Sequence, residues 1–414
     1  MRVLLVNAFH WLKGGVERTY LDESRWLAAA GHDVAHFATR HTNNEPSPTA
    51  EFFAPPADFT EGGSALAQLP LLPRVLWSAP AADGMRRLVA SWKPDVAHLH
   101  APSRHLTPSI LGPLARAGVP VVMTLHDFKP WCTNRILYAH GEVCERCRGG
   151  THWHAFTTAC VQGSRAKSAV GAVEAYLHDA LGAWRSVRRW IAPSRFVYDK
   201  ARSFHVDDAV LRVLAHGVEP PRDVAAPPPG TPERYVFFAG RLSAEKGVRL
   251  LPAIAAVIAP VPILVAGDGP LAGWLHEQGI ANIRLLGHLA EPVLAGLRAR
   301  ATVVVAPSQF VEHFGYSVAE ALLDRRPVVA ARIGALPELV EHEQTGLLVA
   351  PGDGAGLGQA VKRALDDPAA PRWGEAGRER VLRVGEPHAH LRELLGIYRE
   401  AIDEAREHPR GVRR

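Results

Sequence analysis

Short apolar runs rich in β-branched residues alternate with longer stretches of helical spacing, and this alternation predicts an α/β chain built on parallel sheets. Arg2 to Val6 reads as a buried strand, His10 to Gly15 as a glycine-ended loop, and Val16 opens a helix. That helix carries Tyr20, Leu21, Trp26 and Leu27 on its apolar side and stops near Gly31. Asp33 to Ala38, Val96 to His100 and Val119 to Leu125 read as further strands, with a helix from Leu106 to Ala117. Pro46 to Pro80 reads as an irregular surface excursion. Ala172 to Arg189 has helical spacing, with Tyr176, Leu177, Leu181, Trp184 and Val187, and a strand and turn follow at Ile191 to Ser194.

Proline then becomes dense from Glu219 to Pro232, as in a stiff extended linker. Beyond it the pattern restarts. Tyr235 to Ala239 and Ile263 to Ala266 read as strands with a helix to Ile258 between them. Thr302 to Val305 is a strand, Pro307 begins a loop holding Glu312 and Gly315, a helix starts near Ser317, and Pro327 to Ala331 returns as strand. Leu391 to Glu407 is a last amphipathic helix. The expected organisation is a first Rossmann-like domain over 1–218, a linker over 219–232, a second Rossmann-like domain over 233–385, and a C-terminal helical segment over 386–414.

Composition sharpens this picture in three ways. A chain of 414 residues exceeds one ordinary core, and 47% apolar with 21% charged residues is the balance of a soluble globular protein. The opening M-R-V-L-L-V-N-A-F reads as a first strand rather than a leader. The longest uncharged stretch, Leu250 to Gly267, is interrupted by Pro252, Pro260 and Pro262, so no transmembrane segment is expected and the location is expected to be cytoplasmic. A net charge of +5, with only seven lysines among 47 basic residues, suits anionic ligands but is no nucleic-acid signature; the richness in Arg, Ala and Pro suggests a bacterial source. Arg185, Arg188 and Arg189 interleaved with Trp184 and Trp190 form a pattern that can lie on an anionic membrane, although snorkelling arginines on an ordinary helix give the same pattern. Nothing in these residues speaks to oligomeric state.

All four cysteines fall in one window, Cys132, Cys144, Cys147 and Cys160, spaced C-x11-C-x2-C-x12-C. In a cytosolic chain this spacing favours a closed tetrahedral zinc site, structural because no position is left open, with His152 and His154 as spare ligands. Four unrelated thiols are the alternative.

The candidate chemistry centres on Pro307 to Ala331. Glu312 and Glu320 are separated by seven residues, and Glu320 lies among Val318, Ala319, Ala321, Leu322 and Leu323, where a carboxylate needs a partner. Amides near Phe314 and Gly315 open a helix, a favourable place for phosphate. Arg241 and Lys246 flank the loop after the Tyr235 strand, where two cations can clamp a diphosphate. His126 ends a strand in T-L-H-D-F, and His98 and His100 share a strand face, a pattern of packing more than of chemistry. Gly267-Asp268-Gly269 lacks the third glycine of a dinucleotide fingerprint.

These motifs resemble those of retaining glycosyltransferases with the GT-B fold, particularly glycosyltransferase family 4. The resemblance rests on Glu312-x7-Glu320, on G-R-L-S-A-E-K-G around Arg241 and Lys246, on T-L-H-D-F, and on I-G-A-L-P-E-L-V-E-H-E-Q-T-G-L-L-V-A-P-G-D from Ile333 to Asp353. It implies two Rossmann-like domains facing a cleft, with the last helix crossing back to the first. It implies a UDP- or GDP-linked sugar donor and a glycan, lipid-linked or small-molecule acceptor, in bacterial polysaccharide or glycoconjugate synthesis. By resemblance, Glu320 takes the ribose, Glu312 the transferred sugar with Phe314 and Gly315 beside it, Arg241 and Lys246 the diphosphate, His126 the sugar near its anomeric carbon, and Gly15 faces acceptor and phosphates. No D-x-D occurs, so no catalytic divalent metal is expected. Ala335 and His313 depart from the pattern, at the phosphate approach and the sugar pocket. A sugar-nucleotide epimerase or phosphorylase on the same scaffold and a non-catalytic sugar-nucleotide-binding subunit are the alternatives; a zinc-finger nucleic-acid protein fits poorly, since the basic residues are dispersed.

Overall fold

In a computed structural model that describes residues 1–57, 72–221 and 223–408, the strand runs assemble into two six-stranded parallel sheets. The strands are β1 (Arg2–Val6), β2 (Asp33–Phe37), β3 (Val96–Leu99), β4 (Val121–Thr124), β5 (Tyr138–Ala139), β6 (Glu142–Val143), β7 (Val187–Ala192) and β8 (Leu211–Val213). The second half holds β9 (Val236–Ala239), β10 (Ile263–Ala266), β11 (Ile283–Gly287), β12 (Val303–Ala306), β13 (Val328–Ala331) and β14 (Gly346–Val349). The first sheet has the order β2-β1-β3-β4-β7-β8 and the second β11-β10-β9-β12-β13-β14, while β5 and β6 form a small hairpin in the cysteine-rich segment. Most central strands are buried along their length because helices cover both faces, which is why they read as continuous apolar runs rather than alternating ones.

Each sheet has two apolar layers. In the first, Leu4, Val6, Leu99 and Met123 face one helical layer, and Val3, Leu5, Val96 and Val122 face the other. That second layer includes Leu394, Ile397, Tyr398 and Ala401 of the helix Pro387–Glu407, so the last helix packs on the first sheet. The chain crosses between halves near Val218 and again near Gly385, and the Val218 N–H donates to the Gly385 carbonyl at 2.8 Å. The proline-rich connection is anchored at its start, where Glu219 accepts from Arg25 and from the Trp26 indole, both at 2.6 Å.

Three expectations need correction. The helix expected from Ala172 to Arg189 instead spans Arg165–Ala180; Gly182, with φ of 57°, turns the chain, and Val187–Ala192 is strand β7. Arg188 and Arg189 therefore lie on a strand, paired with Glu404 and Glu400 of the last helix, and Trp190 is buried. The helical face that suggested contact with an anionic membrane does not exist. The helix expected from Leu106 to Ala117 is broken into Ser103–Leu106, a 3-10 turn at Pro108–Ile110, and Leu111–Arg116, because Thr107 takes φ of 53° and caps the turn. Part of the expected Pro46 to Pro80 excursion is helical: Leu72–Leu76, then Ala79–Trp92 capped by Ser78. Residues 58–71 of that excursion, residue 222 of the linker and residues 409–414 of the C-terminal segment lie outside the described residues. Among the described residues, no helix is long and apolar enough to cross a membrane.

Candidate active site

In the second sheet the chain runs outward from β9 through β10 to β11, then returns to place β12 on the other side of β9. The loops after β9 and β12 therefore diverge, and a crevice opens at the carboxyl ends of the strands. Lys246 comes from the first loop and Glu312 from the second. Lys246 Nζ donates to Glu312 Oε1 at 2.8 Å, and Ser308 Oγ donates to the same oxygen at 2.7 Å. The Glu312 loop is held from below by the I-G-A segment: Gly334 has φ of 60°, and a Cβ there would stand 2.4 Å from the Glu312 nitrogen. The Ala335 amide donates to the Glu312 carbonyl at 2.9 Å, so it supports the loop and is not free for a phosphate. Arg241, on the β9 loop, is exposed; its carbonyl accepts from the Ser243 amide at 2.9 Å, and its guanidinium makes no hydrogen bond or ion pair among the described residues.

Gly315, with φ of 95°, caps the helix Tyr316–Leu323, and Phe314 beside it is buried. Glu320 lies on this helix, and the partner its apolar setting demanded is Arg298. That arginine is 2% exposed, and it donates through Nη1 to Glu320 Oε2 at 2.9 Å and through Nε to Asp324 Oδ2 at 2.6 Å. Burial raises the Glu320 pKa above the ordinary carboxylate value, and the attraction of Arg298 and Arg18 offsets part of that rise.

Arg18 reaches Glu320 from the other half. It stands 2.8 Å from Glu291 and 3.5 Å from Glu320 Oε1. One helical turn earlier, Gly15 meets the ring of Tyr316, where a Cβ would come within 2.9 Å, and the Tyr316 hydroxyl bonds Thr19 Oγ1 at 2.6 Å. Gly15 thus permits a close approach of the two halves. Between them is a cavity of about 260 Å³ lined by Arg18, Asp22, Glu291, Tyr316 and Glu320 among others.

From the first sheet, His126 follows β4 and turns its Nε2 to His100 Nδ1 at 3.0 Å. Its ring stacks on His216, which in turn packs against Phe314 and Tyr316. Burial lowers the His126 pKa to about 3, so the ring is neutral. His313, buried beside Glu312, packs on Phe128 of the T-L-H-D-F segment at 4.3 Å and is likewise lowered to about 3 by burial. Contacts thus join Lys246 to Glu312, His126 through His216 to Phe314, and Gly15 to Tyr316 on the helix that Gly315 caps and that carries Glu320, while Arg241 stands on the β9 loop.

The four cysteines are free thiols lining one cavity with His154 and Asn134. Burial pushes Cys132 up to about 12. Nε2 of His152 bonds Asp179 at 2.8 Å, and Cys147 helps raise that ring to about 9, behind burial, which opposes the rise, and the bond to Asp179. Among the described residues no three of the sulfurs stand within 4.8 Å of one another, so a tetrahedral site requires the side chains to turn inward.

Arg18, Arg298, Tyr316, Glu23 and His100 are site residues that reading the sequence did not assign. The apolar setting of Glu320 was the signal for Arg298, but which arginine answers it is a matter of tertiary contact.

Comparison with known proteins agrees with this geometry. The family description "Glycosyltransferase Family 4" matches residues 13–222 and "Glycosyl transferases group 1" matches residues 233–367. The chain is 30% identical to a glycogen synthase of Mycobacterium tuberculosis, over 92% of this chain and 90% of that protein. It is 28% identical to the 2-deoxystreptamine glucosyltransferase of Streptomyces kanamyceticus, over 73% and 76%. Among solved structures it resembles sucrose-phosphate synthase from Thermosynechococcus elongatus, with a TM-score of 0.69, 20% identity and coverage of 97% and 99%. It also resembles Anabaena HepE in complex with UDP-glucose, with a TM-score of 0.64, 19% identity and coverage of 97% and 100%. Two parallel sheets facing a cleft, with the last helix returned to the first, make the GT-B fold, and the chain belongs to the group 1 glycosyltransferases of family 4.

Proposed function

We propose that this enzyme is a retaining glycosyltransferase that moves a hexosyl group from a UDP- or GDP-linked donor to a glycan, lipid-linked or small-molecule acceptor. The observation that carries the reading is the Lys246–Glu312 pair at the strand-order reversal of the second sheet, with Glu320 on the helix that follows. In this reading the ribose takes Glu320, in competition with Arg18, and Arg298 holds the carboxylate in place. Lys246 and Arg241 offset the charge growing on the leaving diphosphate, an electrostatic contribution that needs no metal ion. Glu312 and the amides at Phe314 and Gly315 hold the transferred sugar, and neutral His126 faces it from the other half, with Gly15 at the phosphate side. The acceptor approaches from the first half and gives its proton to the departing phosphate on the same face. A cytoplasmic place in bacterial glycan or glycoconjugate synthesis fits these substrates. The solved relative in complex with UDP-glucose supports UDP as the first base to test.

Calorimetric titration of UDP, GDP and ADP tests the donor site. One of the three is expected to bind, and Glu320→Ala to weaken it by about 1–3 kcal/mol, the cost of losing a charged hydrogen bond. Unchanged binding in the variant would make Glu320 a structural residue only.

The cysteine segment is proposed to hold one structural zinc, with Cys132, Cys144, Cys147 and Cys160 as ligands and His152 or His154 in reserve. A metal would reverse the protonation that burial imposes on Cys132. Elemental analysis of the purified chain is expected to give about one zinc per molecule, and a Cys144→Ser, Cys147→Ser double variant close to none. Equal metal content in the two would remove the assignment.

A further inference from the structure

His126 is the outer end of a chain of buried polar groups that begins on the helix Gly15–Ala29 and runs beneath the C-terminal helix. Glu23, 1% exposed, is the centre of it. Its Oε1 lies 3.1 Å from His390 Nε2, and His390 Nδ1 lies 2.7 Å from the Ala215 carbonyl. The Ala215 carbonyl can only accept, so His390 Nδ1 carries a proton; with Glu23 ionised Nε2 carries one as well, and against the opposing effect of burial Glu23 raises the pKa of that ring. Burial alone would raise the Glu23 pKa, but His100, His98 and His390 together hold it well below the ordinary range.

The other oxygen, Oε2, faces His98 Nδ1 at 3.2 Å and His100 Nε2 at 3.5 Å. His98 is already satisfied, by the Tyr398 hydroxyl at 2.7 Å and Thr124 Oγ1 at 2.8 Å. Glu23, His98 and His100 keep their ligand atoms within 4.8 Å of one another, yet a metal ion there would have to displace those two bonds. The cluster reads instead as a network that sets proton positions. Glu23 Oε2 and His100 Nε2 are both buried without a hydrogen-bond partner and stand 3.5 Å apart. A lone pair on His100 Nε2 would face the carboxylate repulsively, whereas an N–H is attracted to it. A second imidazolium at His100 is disfavoured, since burial and His98 hold that ring's pKa far below its ordinary value. The proton therefore sits on His100 Nε2, and His100 Nδ1 is an acceptor. His126 Nε2, 3.0 Å away, must donate to it. That leaves His126 Nδ1 as a lone pair on a partly exposed ring, with no partner among the described residues.

We propose that Glu23 and His100 are positioning residues that lock His126 in the Nε2–H tautomer, so that its Nδ1 accepts a hydrogen bond from a sugar hydroxyl in the cleft. The tautomer follows from the protein alone; its use toward sugar rests on the active-site reading given above. An imidazole so fixed cannot donate to the sugar, and a wrong tautomer at such a position is costly for turnover.

Nitrogen-15 spectra of the full-length, histidine-labelled protein, with His126 identified by its loss in His126→Gln, read the tautomer without any ligand. At neutral pH the wild-type His126 is expected to show a protonated Nε2 and a bare Nδ1. In Glu23→Gln, whose amide can donate as well as accept, a mixture of tautomers is expected, and His100→Phe gives the same test should the first variant fold poorly. With the donor found by titration, Glu23→Gln is expected to lower kcat by at least about tenfold while nucleotide affinity is unchanged. A His126 protonated on Nδ1 in the wild type, or indifferent to both substitutions, overturns the lock. A correct tautomer together with full activity in His126→Gln overturns its role toward sugar, and with it that part of the active-site reading.

Discussion

Arg298→Ala is expected to destabilise the second half by about 3–5 kcal/mol, because it takes from two largely buried carboxylates the cation that hydrogen-bonds both. Arg298 is 2% exposed and holds Glu320 and Asp324 at once, while Arg18 reaches Glu320 only at 3.5 Å from the opposite half. Denaturant midpoints followed by tryptophan fluorescence measure the effect. A contrasting variant separates the pair from its use. Arg298→Met combined with Glu320→Leu and Asp324→Leu removes charge on both sides, and such apolar replacements are often neutral or stabilising. That triple variant is expected to fold well and to bind nucleotide about as weakly as Glu320→Ala does. Loss of folding in both variants would mean that the network carries a structural role beyond charge pairing.

The second large effect is on turnover. Lys246→Ala is expected to lower kcat by about 10²–10³, corresponding to about 2.7–4 kcal/mol of transition-state stabilisation, as for removal of one preorganised donor. Its Nζ already sits against Glu312, so the cation is in place before the leaving group develops charge. Steady-state rates with the donor identified by titration check this. Were Lys246 needed only to neutralise Glu312, adding Glu312→Gln to Lys246→Ala would restore activity; under the proposed role the double variant stays as slow as either single one, or slower. Lys246→Arg is expected to recover little, since a planar fork does not replace a point charge at the Glu312 contact.

How much of this was legible in the sequence varies from residue to residue. The β12 strand, the Gly315 cap and the β13 strand lie within a residue or two of where periodicity puts them, because each is buried by its own local pattern. The stretch from Trp184 to Trp190 was misread because V-R-R-W-I-A keeps an apolar spacing that continues the preceding helix, while Gly182 in left-handed conformation ends it. The two arginines there are accommodated by Glu400 and Glu404, more than 200 residues away, which no local window contains. The site behaves the same way. Glu312 and Lys246 could be singled out from loop position and charge, whereas Arg18–Glu320 and Glu23–His390 join positions some 300 or more residues apart and exist only once the two halves meet and the last helix returns to the first sheet.

That meeting is governed by how the halves are connected. Both chain crossings lie side by side, tied by the Val218–Gly385 hydrogen bond, and the helix that follows Gly385 is packed into the first sheet. Two adjacent tethers act as a pivot line: sliding and twisting strain them, while swinging about the line leaves them nearly undisturbed. Tyr316, whose ring stacks on His216 beside the Val218 crossing, stands close to that line, so its contact with Thr19 lies where a swing moves the halves least. Opening for substrate exchange and closing for water exclusion would then turn about this line, moving Arg18 against Glu291 and Glu320 of the opposite half.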